Sequence, residues 1–213
     1  TRILTRQEDE WAGYSYFWND DETDATLVPA SGIDRGITIQ DSQAPDGERQ
    51  ETWRYPSRKE CMLCHTRASA FVLGLNTLQM NKTHDYGVIS DGQLRTLDHI
   101  KVFSKPLSKS PEAYPKLVNP YDSQETLDAR ARSYLHANCA NCHVHTGGGN
   151  ALIDVEFTTA NDKTKMFEAR PLHDTFGIPD AMIVAPGNPE RSTLYHRISQ
   201  LGEGHMPPVG ASR

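Results

Sequence analysis

Two copies of one short pattern constrain this chain more than anything else in it: Cys61-Met62-Leu63-Cys64-His65 and Cys139-Ala140-Asn141-Cys142-His143. Cys-x-x-Cys-His is the spacing of a c-type haem attachment site. The two intervening residues set the sulfurs about one helical turn apart, within reach of both vinyl groups of a porphyrin. The histidine that follows falls beneath the ring, where its imidazole is the proximal iron ligand. The motifs use all four cysteines, so none is left for a disulfide. A single copy would also suit a zinc half-site or a redox dithiol. A four-cysteine zinc site, however, wants pairs that converge, usually from closer in the chain, and gives the histidine after each pair no part to play. The residues therefore point to two covalently bound haem c groups, attached through Cys61, Cys64, Cys139 and Cys142, with His65 and His143 as proximal ligands.

A length of 213 residues suits one large domain or two small ones. Only 37% of the residues are apolar and mean hydropathy is −0.62, so two porphyrins would supply core that the side chains do not. No stretch approaches the ~18 apolar residues of a membrane span, so no transmembrane segment is expected. No leader pattern opens the chain, which reads as a mature or excised segment. Net charge is −6, and no basic stripe with interleaved aromatics is present, which argues against a nucleic-acid partner. Haem c is attached outside the bacterial cytoplasmic membrane, so the motifs imply a periplasmic or extracellular protein.

The fold expected is mainly α: two small cytochrome c-like helical haem-binding units behind a short β-rich N-terminal segment. The units divide as 1–55, 56–110 and 111–213. Residues 1–13 read as a polar arm. Tyr14, Tyr16 and Trp18 alternate as in a strand, and Ala25–Val28, Gly36–Gln40 and Glu51–Tyr55 are further strand candidates. The acidic run 19–24 raises calcium, but it lacks the EF-hand spacing and reads as a solvated turn. Ser57-Arg58-Lys59-Glu60 is a capping box that starts a helix running through Cys64. Further helices are expected over 68–80 and 91–103, the first presenting Phe71, Val72, Leu75 and Leu78. Residues 104–122, punctuated by Pro106, Pro111, Pro115 and Pro120, read as a linker. A long helix then runs from Asp122 or Ser123 to Cys142, a short strand covers 152–157, and a helix carries Leu194, Tyr195 and Ile198.

Met206, on a loop followed by Pro207-Pro208, is the candidate distal ligand of the second iron; a neutral thioether favours Fe(II) and raises the potential. His205 competes with it. For the first iron Met80, His84 and His99 are the candidates, beside an open position. His136, His145, His173 and His196 read as surface or supporting groups. Arg191, Arg197, Lys82 and Arg95 are candidate partners for propionates.

Three stretches carry a resemblance. Residues 134–143, residues 184–197 and His205-Met206-Pro207-Pro208 resemble dihaem c-type cytochrome modules of environmental bacteria, as do residues 55–65 and 73–81 upstream. The likeness covers residues 14–210. It implies haem attachment at both motifs, Met206 as the ligand closing the second site, and a module often fused to a sugar-dehydrogenase-like or other extracellular domain. It also implies a final helix after the Met-Pro-Pro loop, before which the sequence stops. The function expected is electron transfer between a dehydrogenase domain or other redox donor and a downstream acceptor, with no catalytic residue. The alternative is a dihaem peroxidase-like enzyme, or a gas sensor, with an open position at the first haem.

Overall fold

The computed structural model describes residues 1–209. The N-terminal third is antiparallel β structure. Strands β1 (Arg2–Gln7), β2 (Glu10–Trp18) and β3 (Ala25–Leu27) form one sheet in the order β1-β2-β3. The pair β4 (Ile33–Gln40) and β5 (Glu48–Tyr55) forms a second, registered from Ile33 opposite Tyr55 to Gln40 opposite Glu48. In β4 half-buried and exposed residues alternate strictly, with Ile33, Ile37 and Ile39 on the inner face, as a one-sided sheet requires. The arm expected over 1–13 is instead the edge strand β1, paired from Arg2–Ser15 to Gln7–Glu10. Its arginines gave it a polar look, and charged residues are how an exposed edge discourages further pairing.

One face of β2 is turned towards the start of the first Cys-x-x-Cys-His motif. Trp11, Gly13, Ser15 and Phe17 share it, since alternate residues point the same way. Trp11 stacks on Phe71 with ring centroids 5.9 Å apart, the Ser15 hydroxyl donates to the Pro56 carbonyl at 3.1 Å, and Phe17 meets Tyr55 edge-on. Gly13 and Ser15 are the buried pair. The alternation of Tyr14, Tyr16 and Trp18 gave the right period, but the small residues between them face the interior.

The expectation of a mainly α chain is overturned: helix and strand each take about a fifth of it. The helices are α1 (Arg58–Cys61), α2 (Thr77–Met80), α3 (Gln93–His99), α4 (Leu127–Cys139) and α5 (Thr193–Ser199). The two cytochrome c-like helical units are therefore absent as such, and the reasons are local. Helix α1 stops after one turn. The helix expected over 68–80 is broken by left-handed backbone at Ala70 (φ 55°), Phe71 (φ 62°) and Gly74 (φ 83°), and only α2 survives, capped by the Asn76 side chain. Residues 90–92 pair with 83–85 as a small hairpin of β6 (Thr83–Asp85) and β7 (Ser90–Gly92), so α3 starts late; left-handed Lys101 (φ 61°) stops its continuation. Asn119 and Asp122 bond the amides two residues on, delaying α4 to Thr126, its N-cap. No strand forms at 152–157: the Asp154 amide goes to the Thr164 carbonyl and that of Val155 to His143.

The proline-punctuated segment is stitched down on both sides. The Asn81 amide donates to the carbonyls of Pro111 and Tyr114, at 3.0 and 2.9 Å. The Leu117 amide donates to the Leu78 carbonyl, and that of Val118 to the buried Ser133 hydroxyl on α4 at 3.0 Å. An apolar core of Ala140, Ile153, Val155 and Met166, flanked by Leu135, Cys139, Ala151, Ile183 and Val184, packs about the end of α4. Among the described residues no helix is long and apolar enough to cross a membrane.

Candidate functional site

The first motif hangs from a capped turn. Ser57 accepts the Glu60 amide at 3.1 Å, and the Glu60 carboxylate accepts the Ser57 amide at 2.7 Å. Each satisfies a backbone donor that the helix start leaves free. Glu60 also takes the Arg54 guanidinium at 2.8 Å. Burial by itself would raise the Glu60 carboxyl, but the hydrogen bonds from Arg54 and Ser57 outweigh it and hold the group at about 2. Arg54 thereby joins β5 to α1, and the β2 face closes over the turn: a Cβ on Gly13 would lie 2.6 Å from both Cβ and Sγ of Cys61. Burial there raises the Cys61 thiol.

His65 is half-buried, and its Nδ1 lies 2.5 Å from the Phe71 carbonyl. A carbonyl only accepts, so Nδ1 carries the proton and Nε2 presents its lone pair. This is the outer hydrogen bond that orients metal-binding imidazoles and makes them more basic. The left-handed backbone at Ala70 and Phe71, which broke the expected helix, is in the same turn as that carbonyl.

The second motif leaves the C-terminal end of α4, with Cys139 against the apolar core. The His143 amide donates to the Cys139 carbonyl at 2.9 Å, and its own carbonyl accepts the Val155 amide at 3.0 Å. Gly149 follows so closely that a Cβ on it would lie 2.5 Å from His143 Nδ1, and one on Gly147 would lie 2.2 Å from the Cys142 carbonyl oxygen. The run Gly147-Gly148-Gly149 is thus a close-packed strap around the histidine. His143 Nδ1 is buried with no hydrogen-bond partner. Burial lowers the pKa of the ring, opposed by a main-chain hydrogen bond from Ala151 and aided to a lesser degree by the charge of Arg197. His136 is a buried supporting group: its Nδ1 accepts the Phe157 amide at 3.2 Å, so its proton sits on Nε2.

The two motifs, distant in the chain, meet. The Cys142 thiol donates to the Leu63 carbonyl at 3.3 Å, inside the first motif. Cys64 and Cys142 act on each other: the Cys64 thiol is lowered, aided by the charge of Arg2, and the Cys142 thiol is raised. A Cβ on Gly148 would lie 2.9 Å from the Leu63 carbonyl oxygen and 3.5 Å from the Thr66 methyl. The second cysteine of each pair and the glycine strap therefore form one seam.

The remaining candidates differ in burial and in what they touch. Met206 is half-buried, and its amide donates to the Arg197 carbonyl on α5 at 3.0 Å. Neighbouring His205 bonds through Nδ1 to the Pro207 carbonyl at 3.1 Å. Met80 is half-buried at the end of α2; His99 is exposed at the end of α3; His84 is exposed on β6, edge-on to Tyr86 at 4.7 Å. The acidic run 19–24 is a hairpin turn whose Asn19 side-chain oxygen accepts the amides of Thr23 and Asp24, while Asp20 faces Arg35 at 3.4 Å. Arg191 donates to the Asp180 carbonyl, and Arg95 pairs with Asp91 and Glu112.

Of these features, the β2 face on Cys61, the Phe71 carbonyl on His65 and the Leu63 contact of Cys142 had no signal in the sequence. The Gly147-Gly148-Gly149 run did, although it read only as a chain break.

Each motif supplies the two thiols and the histidine that a haem c site would use. All four cysteines are free thiols. Among the described residues no three His, Cys, Asp or Glu side chains gather as a metal-holding group, so the two pairs touch at one edge without converging as zinc ligands would. His65 offers Nε2 with its tautomer fixed, and His143 is half-buried with its Nδ1 buried. No protein-family model matches the chain, and neither a curated protein nor a solved structure matches it.

Proposed function

We propose that this chain carries two covalently attached haems c and passes electrons between a redox donor and a downstream acceptor, outside the cytoplasmic membrane. The observation that carries this reading is the seam: two complete Cys-x-x-Cys-His motifs, every thiol free, brought together at Cys64 and Cys142. Cys61 and Cys64 would hold one haem and Cys139 and Cys142 the other, with His65 as an iron ligand of the first and His143 and Met206 as iron ligands of the second. Haem, when bound, supplies a one-electron Fe(III)/Fe(II) couple. The chain's own part is to hold, orient and shield. Phe71 fixes the proton on His65 Nδ1, leaving Nε2 as the donor atom. Burial lowers the pKa of the His143 imidazole, which favours the neutral form that a ligand needs. The β2 face covers Cys61, and the core at the end of α4 packs against Cys139. The resemblance of the motif stretches to dihaem c-type cytochrome modules supports the same reading, and a fused dehydrogenase domain or a separate redox protein is the donor it suggests.

The test is expression with a bacterial haem c maturation system, followed by intact mass and haem quantification. Two haems per chain are expected. A soluble chain that emerges with none, or with bound zinc, defeats the proposal. Carbon monoxide added to the reduced protein then separates the function classes. An indifferent spectrum supports an electron carrier; a carbon monoxide adduct at one haem would favour the peroxidase or gas-sensor reading.

A further inference from the structure

We infer that Arg197 is the positioning residue that holds the Met206 sulfur where it can serve the second iron. This rests on the reading of His143 as a haem ligand and carries it further, from the ligand to the device that places it.

Residues 200–207 link α5 to the Met-Pro-Pro turn, and Gly202 (φ 88°) and Gly204 (φ 82°) give the loop two left-handed turns. Such a segment has many alternative paths. A methionine sulfur is a weak ligand, and an uncoordinated conformer competes with it unless the loop is pre-organised. Both hydrogen bonds that tie this loop to α5 are made by Arg197. Its carbonyl accepts the Met206 amide at 3.0 Å, and its Nη1 donates to the Gly204 carbonyl at 2.8 Å. The guanidinium lies 4.5 Å from the Phe176 ring centroid, over the ring. The Phe176 ring is itself set against His196, one residue earlier on α5, with centroids 4.4 Å apart. Gly204 runs so close to Phe176 that a Cβ there would lie 2.6 Å from Cε1. Arg197 is thus bonded to the loop from both main chain and side chain, and stacked on the aromatic platform over which the loop passes.

The same side chain is close enough to His143 for its charge to bear on the ring. A planar fork that donates and stacks at once is what arginine supplies and lysine does not. Where His143 holds a haem, a fixed positive charge that acts on that ring would also favour Fe(II), the less positive state, in the same direction as a thioether ligand.

The experiment uses the haem-loaded protein, reading the far-red thioether-to-iron band of the ferric state and the potential of each haem. Arg197→Leu should lose most of that band and lower one of the two potentials while still carrying two haems. Arg197→Lys, which keeps the charge and one donor, should retain part of the band and most of the potential. Phe176→Leu should weaken the band without touching the charge; it stands in if Arg197→Leu does not mature. A full band and unchanged potentials in Arg197→Leu would overturn the role of Arg197 and leave the electron carrier intact. A wild-type protein with two haems and no such band would overturn it together with ligation by Met206. A chain that matures with no haem defeats the underlying reading instead.

Discussion

The same five-residue pattern is set in two different frames. Around Cys61 and His65 the frame is β structure: a one-turn helix, a strand face reduced to Gly13 and Ser15, and the Arg54–Glu60 ion pair that ties β5 to the turn. Around Cys139 and His143 it is the 13-residue helix α4 and an apolar core. The imidazoles differ in step. His65 has its outer hydrogen bond made, to Phe71, whereas His143 has a buried, unpartnered Nδ1 and a methionine loop clamped nearby by Arg197. The geometry within Cys-x-x-Cys-His is local, so a strand or a helix can buttress it equally well. What differs is the second layer: a fixed tautomer at His65, and a buried Nδ1 within a glycine strap at His143.

Two glycines, one in each frame, offer the sharpest way to break this comparison. Gly149→Ala puts a methyl 2.5 Å from His143 Nδ1, so the ring must turn away. The second haem is expected to keep both thioethers but lose its axial imidazole, seen as a high-spin species with the mass of two haems retained. Gly13→Ala puts a methyl 2.6 Å from Cys61 Sγ. Here attachment itself should fail, leaving a Cys61 thiol open to alkylation. Overpacking of either kind should also cost about 1–3 kcal/mol of stability. The same defect in both variants would mean that the two frames do the same work.

How much of this was legible depends on range. The capping box needs only residues 57–60, and it is present as expected; the alternation in β4 is equally local. The spacing of Phe71, Val72, Leu75 and Leu78 read as one helix face, yet Ala70 and Phe71 turn left-handed, and that turn carries the carbonyl bonded to His65. Apolar spacing reports a shared surface and cannot tell a helix from a wound loop over so short a stretch. The mainly α expectation failed for the same reason, each motif having been extended into a helix longer than its one capped turn or its α4 end. The seam was beyond reach, because nothing in residues 61–65 or 139–149 alone says that Leu63 meets Cys142 and Gly148.

Acid should separate the frames by a smaller amount. The Glu60 carboxyl is held at about 2 in the fold against an ordinary 4.5. A depressed carboxylate adds stability above its unfolded value, and that stability is lost as pH falls from about 4.5 towards 2. Glu60→Gln removes the charge that Arg54 and Ser57 share. Denaturant unfolding at pH 7 should show a loss of about 1.5–3 kcal/mol, the scale of hydrogen bonds to a charged group. Between pH 4.5 and 2 the gap between variant and wild type should close. A gap of constant size over that window would remove Glu60 as the acid-sensitive tie between β5 and the first motif.

The smallest difference lies in the two helix caps. Ser57 is buried and its box is reciprocal, so Ser57→Ala strands the Glu60 amide inside the protein. Thr126 is exposed and accepts only the Ala129 amide, at 3.3 Å. Water can replace that hydroxyl, and α4 has two further turns and a packed C-terminal end to hold it. Thr126→Ala should therefore cost about 0.5–1 kcal/mol and Ser57→Ala about 1–2 kcal/mol, within the range measured for caps. Only the second should disturb haem content, because α1 is a single turn whose first residue is three positions from Cys61, whereas the Thr126 cap lies more than three turns from Cys139. Paired urea melts with haem quantification would decide it. Equal losses from the two caps would mean that the β frame, and not the turn, holds the first motif in place.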